Sequence, residues 1–483
     1  MLAPAPGPIT PAAMRLPNMS VSNFPAGAGA RSVRRSPLCA WALALLALAG
    51  AGAGTGTGTA RAQGTAPAAA APASAPASAA DAGVRAVRKE LGDIVEAART
   101  LFREEKFDAA AARLEAADAL PNLTAWERHS LERMRAAIAL RQGRFGVSAR
   151  ALEAAFATGE VSAADELELM KNLVDLALRD KDYARVLSWS QRYADKGGRD
   201  DSVQLMRLEG LRFSGDERGA LQGWKARREN AERTGAGMPE SHWRVLWALQ
   251  RRHEPADAGA TLEGLARAYP RPEYYAELAA GASQAPDLTE RTLVALYRLL
   301  RVANAINSPA LALEMAERAL RIGYPGEAAA VLEDAQKAGV LPGNRADDLA
   351  RVRDAVQRAL ASDERDRAAS EAAARQASDG TRLADLGWAM VASLPVGSPP
   401  ERVRPGLELL EQAVAKGGLR RDSEARLNLA IAQLGAGRRD DARSTVQALA
   451  KQLEAAGKPD PMASAVRLWG LFLAAPQMLP PRS

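Results

Sequence analysis

From about residue 84 to residue 475, apolar side chains recur at i, i+3, i+4 and i+7, and short polar, Gly or Pro breaks interrupt them every few turns. That spacing gathers the apolar positions on one face of a helix. No run alternates β-branched and polar residues as a half-buried strand would. The body of the chain therefore reads as all-α.

The breaks are periodic. "REEKFDAAAARLEAA" (103–117), "RQGRFGVSARALEAA" (141–155) and "LRDKDYARVLSWSQR" (178–192) place Phe107, Phe145 and Tyr183 at intervals of 38, each just after a polar turn. "FSGDERGALQGW" (213–224) continues the series a little early. A fixed period of roughly 34–40 residues with two helices per unit predicts an α-solenoid of stacked hairpins. In such a stack the two helices of a hairpin cross closely, so the contact positions need small residues, and an aromatic after the turn wedges between one hairpin and the next. Ala110, Ala149, Ala310 and Ala328 are the expected crossing positions. In "ALEMAERALRIGYPGEAAAVLEDAQKAGVL", which starts at Ala312, Gly323 is expected to end one helix and Pro325 to open the next.

This pattern resembles the tetratricopeptide repeat, whose units carry a Gly and an aromatic near the first helix and its turn, then small residues in the second helix. The clearest match is "ARLNLAIAQLGAGRRDDARSTVQAL" (425–449), with Leu429, Ala432, Gly435, Gly437 and Ala442 in the matching places. A narrower resemblance rests on "GYPGEAAAVLEDAQKAGVL", "DGTRLADLGWAM", "GLELLEQAVAKGGLRRDSEARLNLAIAQLGAG" and "AVRLWGLFL", which look like the C-terminal half of exported tetratricopeptide proteins of Gram-negative bacteria associated with TonB-type systems. The first half of the chain matches that group less clearly. The resemblance implies a fold of stacked tetratricopeptide-like hairpins and a role in binding partners.

Charge and composition change the picture at the N-terminus. The formal charge of +6 suggests an anionic partner until its location is seen: the first 62 residues hold Arg15, Arg31, Arg34, Arg35 and Arg61 with no acidic residue, so the rest carries 59 basic against 58 acidic side chains. A nucleic-acid partner is not expected on that balance. Basic Arg31 to Arg35, the apolar "PLCAWALALLALAGAGAG" and the small-residue pattern Ala60-Arg61-Ala62 read as a secretory signal cleaved before Gln63, which predicts a periplasmic protein whose membrane contact ends with cleavage. The long lead before Arg31 leaves Met1, Met14 and Met19 open as starts. Cys39, the one cysteine, would leave with the signal. Residues 63–83 are an Ala/Pro/Ser tether with too little bulk for a core.

The expected organisation is then signal (1–62), tether (63–83), N-terminal solenoid (84–343), charged helical connector (344–380), C-terminal repeats (381–475) and tail (476–483). Acidic and basic residues interleave at helical spacing in the connector, which fits one or two solvent-facing helices or, alternatively, a projecting partner-binding helix.

Residues for chemistry are sparse. His129, His242 and His253 are the only histidines, no H-E-x-x-H or paired cysteines occur, and no G-x-S-x-G is present. No catalytic, cofactor or metal site is expected. Trp243, Trp247, Tyr274 and Tyr275 crowd more aromatic bulk into two hairpins than an Ala/Leu seam requires, and they are the expected partner-binding residues, lining a groove for a peptide. The packing alternative places them in the core. The function expected is a non-enzymatic exported scaffold for a protein or peptide partner in envelope or outer-membrane transport assembly. The alternative is an accessory or enzyme of peptidoglycan metabolism on a solenoid frame.

Overall fold

The computed structural model describes residues 86–286 and 288–476. Among them are twenty α-helices and no strand, packed mainly against their neighbours in sequence: the protein is an all-α solenoid of helix pairs. The leader, the tether and residues 477–483 lie outside the described residues. The chain divides between Arg227 and Arg228 into two compact units, not at the expected boundary of 343 and 344.

The first unit contains α1 (Lys89–Arg103), α2 (Phe107–Glu115), α3 (Ala125–Arg141), α4 (Phe145–Ala157), α5 (Glu166–Arg179), α6 (Tyr183–Asp195) and α7 (Asp201–Ser214), with the start of α8 (Glu217–Thr234). Phe107, Phe145 and Tyr183 each open a helix, as their spacing predicts. The turn before each has a left-handed residue two positions upstream: Glu105 at φ 60°, Gly143 at 73° and Lys181 at 61°. The repeat therefore imposes the same turn even where the residue is not glycine, at a local conformational cost. Arginines at the ends of the next hairpins' first helices cover two of these rings, Arg141 lying 4.7 Å from Phe107 and Arg179 lying 5.6 Å from Phe145. In the third rung Phe213 stacks on Tyr183 at 5.3 Å instead. Ala110 and Ala149 are fully buried at the crossings.

Helix α3 is fixed at its start by a capping box, Thr124 bonding the Glu127 amide and Glu127 the Thr124 amide. The Glu127 carboxylate also accepts from Arg88 Nε at 2.8 Å and Nη2 at 2.9 Å, tying α1 to α3. Those bonds hold the Glu127 carboxyl down to about 2 against burial, which pushes it up. A carboxylate depressed in the folded state stabilises fully above its ordinary value of 4.5, and that contribution is lost as pH falls towards 2. The hydrogen-exchange protection of α1 and α3 is expected to fall as pH drops through this window. Glu127→Gln should flatten the pH dependence, and an unchanged acid profile would remove Glu127 as its source.

The second unit contains α9 (Glu240–His253), α10 (Pro255–Ala268), α11 (Pro272–Ala282), α12 (Glu290–Val302), α13 (Pro309–Arg321), α14 (Pro325–Lys337), α15 (Ala346–Gln376), α16 (Thr381–Ala392), α17 (Pro400–Lys416), α18 (Asp422–Gly435), α19 (Arg439–Ala456) and α20 (Ala463–Ala474). Gly323 at φ 89° ends α13 and Pro325 opens α14, as expected. Ala328 and Ala442 are fully buried, but Ala310 is half-buried in the first turn of α13 and not enclosed as a crossing position would be; that expectation is corrected. A close crossing joins α16 and α17, where a Cβ on Gly387 would sit 2.8 Å from the Gly406 carbonyl oxygen.

The charged connector is one 31-residue helix, α15. Leu349, Val352 and Val356 bury its first third and Ala374 its end, while residues 363–370 are exposed. The unit extends across the expected boundary because α20 packs on α10, α11 and α12 as well as on α19. Every residue from Thr292 to Leu300 of α12 is buried. Arg291 reaches Glu424, Arg298 reaches Glu327 and Asn428, Arg301 reaches Asp334 and the Leu394 carbonyl, and Trp469 donates to the Ala295 carbonyl. Helix α12 is thus the shared core of α14, α16, α18 and α20.

Candidate functional site

The four aromatics expected to line a groove are all in the interior of the second unit. Exposures are 9% for Trp243, 7% for Trp247, 3% for Tyr274 and zero for Tyr275. Arg228 covers Trp243 at 5.3 Å and Arg251 covers Trp247 at 5.0 Å. The Tyr274 hydroxyl donates to Glu240 at 2.5 Å, and the Tyr275 ring meets Phe472 of α20 edge-on at 5.3 Å. Burial pushes the Tyr275 phenol up to about 12, so it stays neutral. A peptide anchor needs an accessible face, and these rings present little or none. The expectation of a groove lined by these rings is therefore corrected: Tyr275 packs on α20, Trp243 packs on α10 at Gly264, and all four are buried in the second unit.

An accessible groove of about 810 Å³ lies in the first unit, between α4 and α6. Glu153, Phe156, Ala157 and Gly159 form one wall, and Asp182, Arg185, Ser188, Trp189 and Arg192 form the other. At its floor Phe156 and Trp189 meet edge to face at 5.3 Å. Trp189 is 5% exposed and donates its indole N–H to Glu153 at 2.6 Å, which locks the ring. Arg185 bonds Glu153 at 2.9 Å and Asp182 at 3.0 Å, while Asp182 also caps α6 by accepting from the Arg185 amide. Both carboxylates are thus held within the wall. Arg192 is exposed, lies 4.0 Å above the Trp189 ring and 5.4 Å from Phe156, and makes no ion pair among the described residues. The exposed Ser188 stands one helical turn before it.

Such a groove offers an apolar wall at Phe156 and Ala157, one hydroxyl and one guanidinium without an ion pair among the described residues. It can hold a partner by contact area and a charge-assisted hydrogen bond. The sequence carried a signal for it: Trp189 stands one period after Ala151, a large ring where the preceding repeat has a small residue.

The second unit has a polar centre of another kind. Arg298 and Glu327, 3% and 1% exposed, share two bonds of 2.7 Å, with Trp388 4.3 Å from the guanidinium. Burial pushes Arg298 down, and Glu327 more than offsets it, leaving the guanidinium above its usual value. Asp385, Arg421, Glu424 and Asn428 line a small recess nearby, with Arg421 bonded to Asp385 at 2.6 Å and to Glu424 at 3.1 Å. These groups satisfy one another across helices and act as fasteners. His129 bonds the Ala155 carbonyl at 3.1 Å, a structural role. Among the described residues no group of three or more His, Cys, Asp or Glu is placed to hold a metal ion. None of the described helices is long and apolar enough to cross a membrane.

Fold and groove together define a helical-repeat protein with an open surface site. No family model matches the chain, and no curated protein matches its sequence. Among solved structures it is similar to one described as a circular tandem repeat protein with novel repeat topology and enhanced subunit contact surfaces, at 15% identity over 79% of this chain and 88% of that one, with a TM-score of 0.13.

Proposed function

We propose that this protein is a non-enzymatic scaffold of tetratricopeptide type, exported to the periplasm, that binds a protein or peptide partner in envelope or outer-membrane transport assembly. The groove between α4 and α6 carries the reading. It joins the apolar side of Phe156 and Ala157 to an exposed guanidinium on helices, and Arg side chains provide contact area and directed bonds to a partner. The leader-like first 62 residues support export, and the repeated hairpins support a scaffold.

A photo-crosslinking amino acid at Ser188 of the full chain, expressed in its native host, tests this. A discrete adduct is expected from the envelope fraction, absent when the crosslinker sits at exposed Glu364 instead. Equal labelling at both positions, or release of muropeptides from peptidoglycan by the purified protein, would overturn the reading.

A further inference from the structure

The groove's charge arrangement narrows the partner further, on the assumption that the scaffold reading holds. We infer that the groove between α4 and α6 takes an extended acidic peptide, seating a side-chain carboxylate on Arg192 and Ser188 and an apolar side chain against Phe156 and Ala157.

The inference comes from which charges are already used. Glu153 is engaged by the Trp189 indole and Arg185, and Asp182 by Arg185 and the α6 amide. A basic side chain entering the groove would compete with Arg185 for these two carboxylates. Arg192 has only ring contacts, so its charge is the one left for a ligand. The Arg192 guanidinium carbon lies 4.0 Å over the Trp189 ring, and its N–H groups are exposed to bind a carboxylate.

Other ligand classes fit less well. A nucleic-acid backbone needs a row of uncompensated cations, whereas two carboxylates flank the single free cation here. A sugar ring needs an open aromatic face, but Trp189 is 5% exposed with Arg192 above it. The open cleft, about 810 Å³, has room for a short extended segment. An alternation of acidic and apolar side chains would meet the cation and the Phe156 wall in turn.

Fluorescence anisotropy on the full chain with three fluorescein-labelled ten-residue peptides tests this: leucine alternating with aspartate, with asparagine, or with lysine. The aspartate peptide is expected to bind about tenfold more tightly than the asparagine peptide, and to weaken with added salt. Arg192→Gln should remove that preference without lowering the melting temperature, because the side chain is exposed, and Arg192→Lys should restore part of it. Ser188→Asp, which sets a carboxylate beside Arg192, should remove the preference independently. Equal affinity for the three peptides, preference for the lysine peptide, a preference unaltered by Arg192→Gln, or no binding of any of them would overturn the inference. If the Ser188 crosslink still traps a partner in those cases, the scaffold reading stands and only the acidic-peptide assignment falls.

Discussion

Arg298→Met is expected to destabilise the second unit by about 3–5 kcal/mol, the range for breaking a buried ion pair from one side. The substitution leaves the Glu327 carboxylate, 1% exposed, without the two 2.7 Å bonds that compensate its burial. It also removes the bond to Asn428 and the cation above the Trp388 ring. The double variant Arg298→Met with Glu327→Met should recover most of the loss, since apolar side chains of similar volume often replace a buried pair without penalty. Repeat proteins can unfold unit by unit, so denaturant titrations should be read by hydrogen exchange of α12 amides. A single variant within about 1 kcal/mol of the wild type, or a double variant no better than the single, would mean that the pair does not hold α12 in place.

The second large effect is expected at Trp469. The side chain is fully buried, donates to the Ala295 carbonyl at 3.1 Å and meets Phe472 at 5.9 Å. Phe472 in turn meets Tyr275, so Trp469 belongs to the seam by which α20 returns to α11 and α12. Trp469→Ala should cost about 3–5 kcal/mol through lost burial and the cavity left behind. Limited proteolysis should then begin in residues 457–462, ahead of α20, and exchange protection on α12 should fall. Trp469→Phe keeps most of the apolar area and loses the hydrogen bond, so its cost should be smaller. Proteolysis of Trp469→Ala that begins elsewhere, with α12 still protected, would show that α20 does not secure the unit.

The two variants act on the same helix, one through charge and the other through apolar packing. Neither touches the groove between α4 and α6, so both should leave crosslinking at Ser188 unchanged while the first unit remains folded.

How much could be read from the chain depended on the distance over which each feature is set. Phe107, Phe145 and Tyr183 mark helix starts because turn and first-turn preferences act within a few residues, and their interval of 38 made the hairpin repeat legible. Gly323 and Pro325 were readable for the same reason. Trp189 offered only a trace, because its contacts with Glu153 and Arg192 depend on how two hairpins stack. Arg298 had no local mark at all: in sequence it resembles the surface arginines around it, and its partners lie 29 and 130 residues away.

By itself, then, the amino-acid order determined the helical class, the repeat and the places where helices begin and end, all consequences of short-range backbone and capping preferences. Tertiary structure alone decided that Trp243, Trp247, Tyr274 and Tyr275 are core, that the units divide between Arg227 and Arg228, and that the accessible groove holds Arg192. Those outcomes follow from α20 returning to α10, α11 and α12 and from α4 stacking beside α6. A helix's apolar face records that it must be buried, but not which distant helix will bury it.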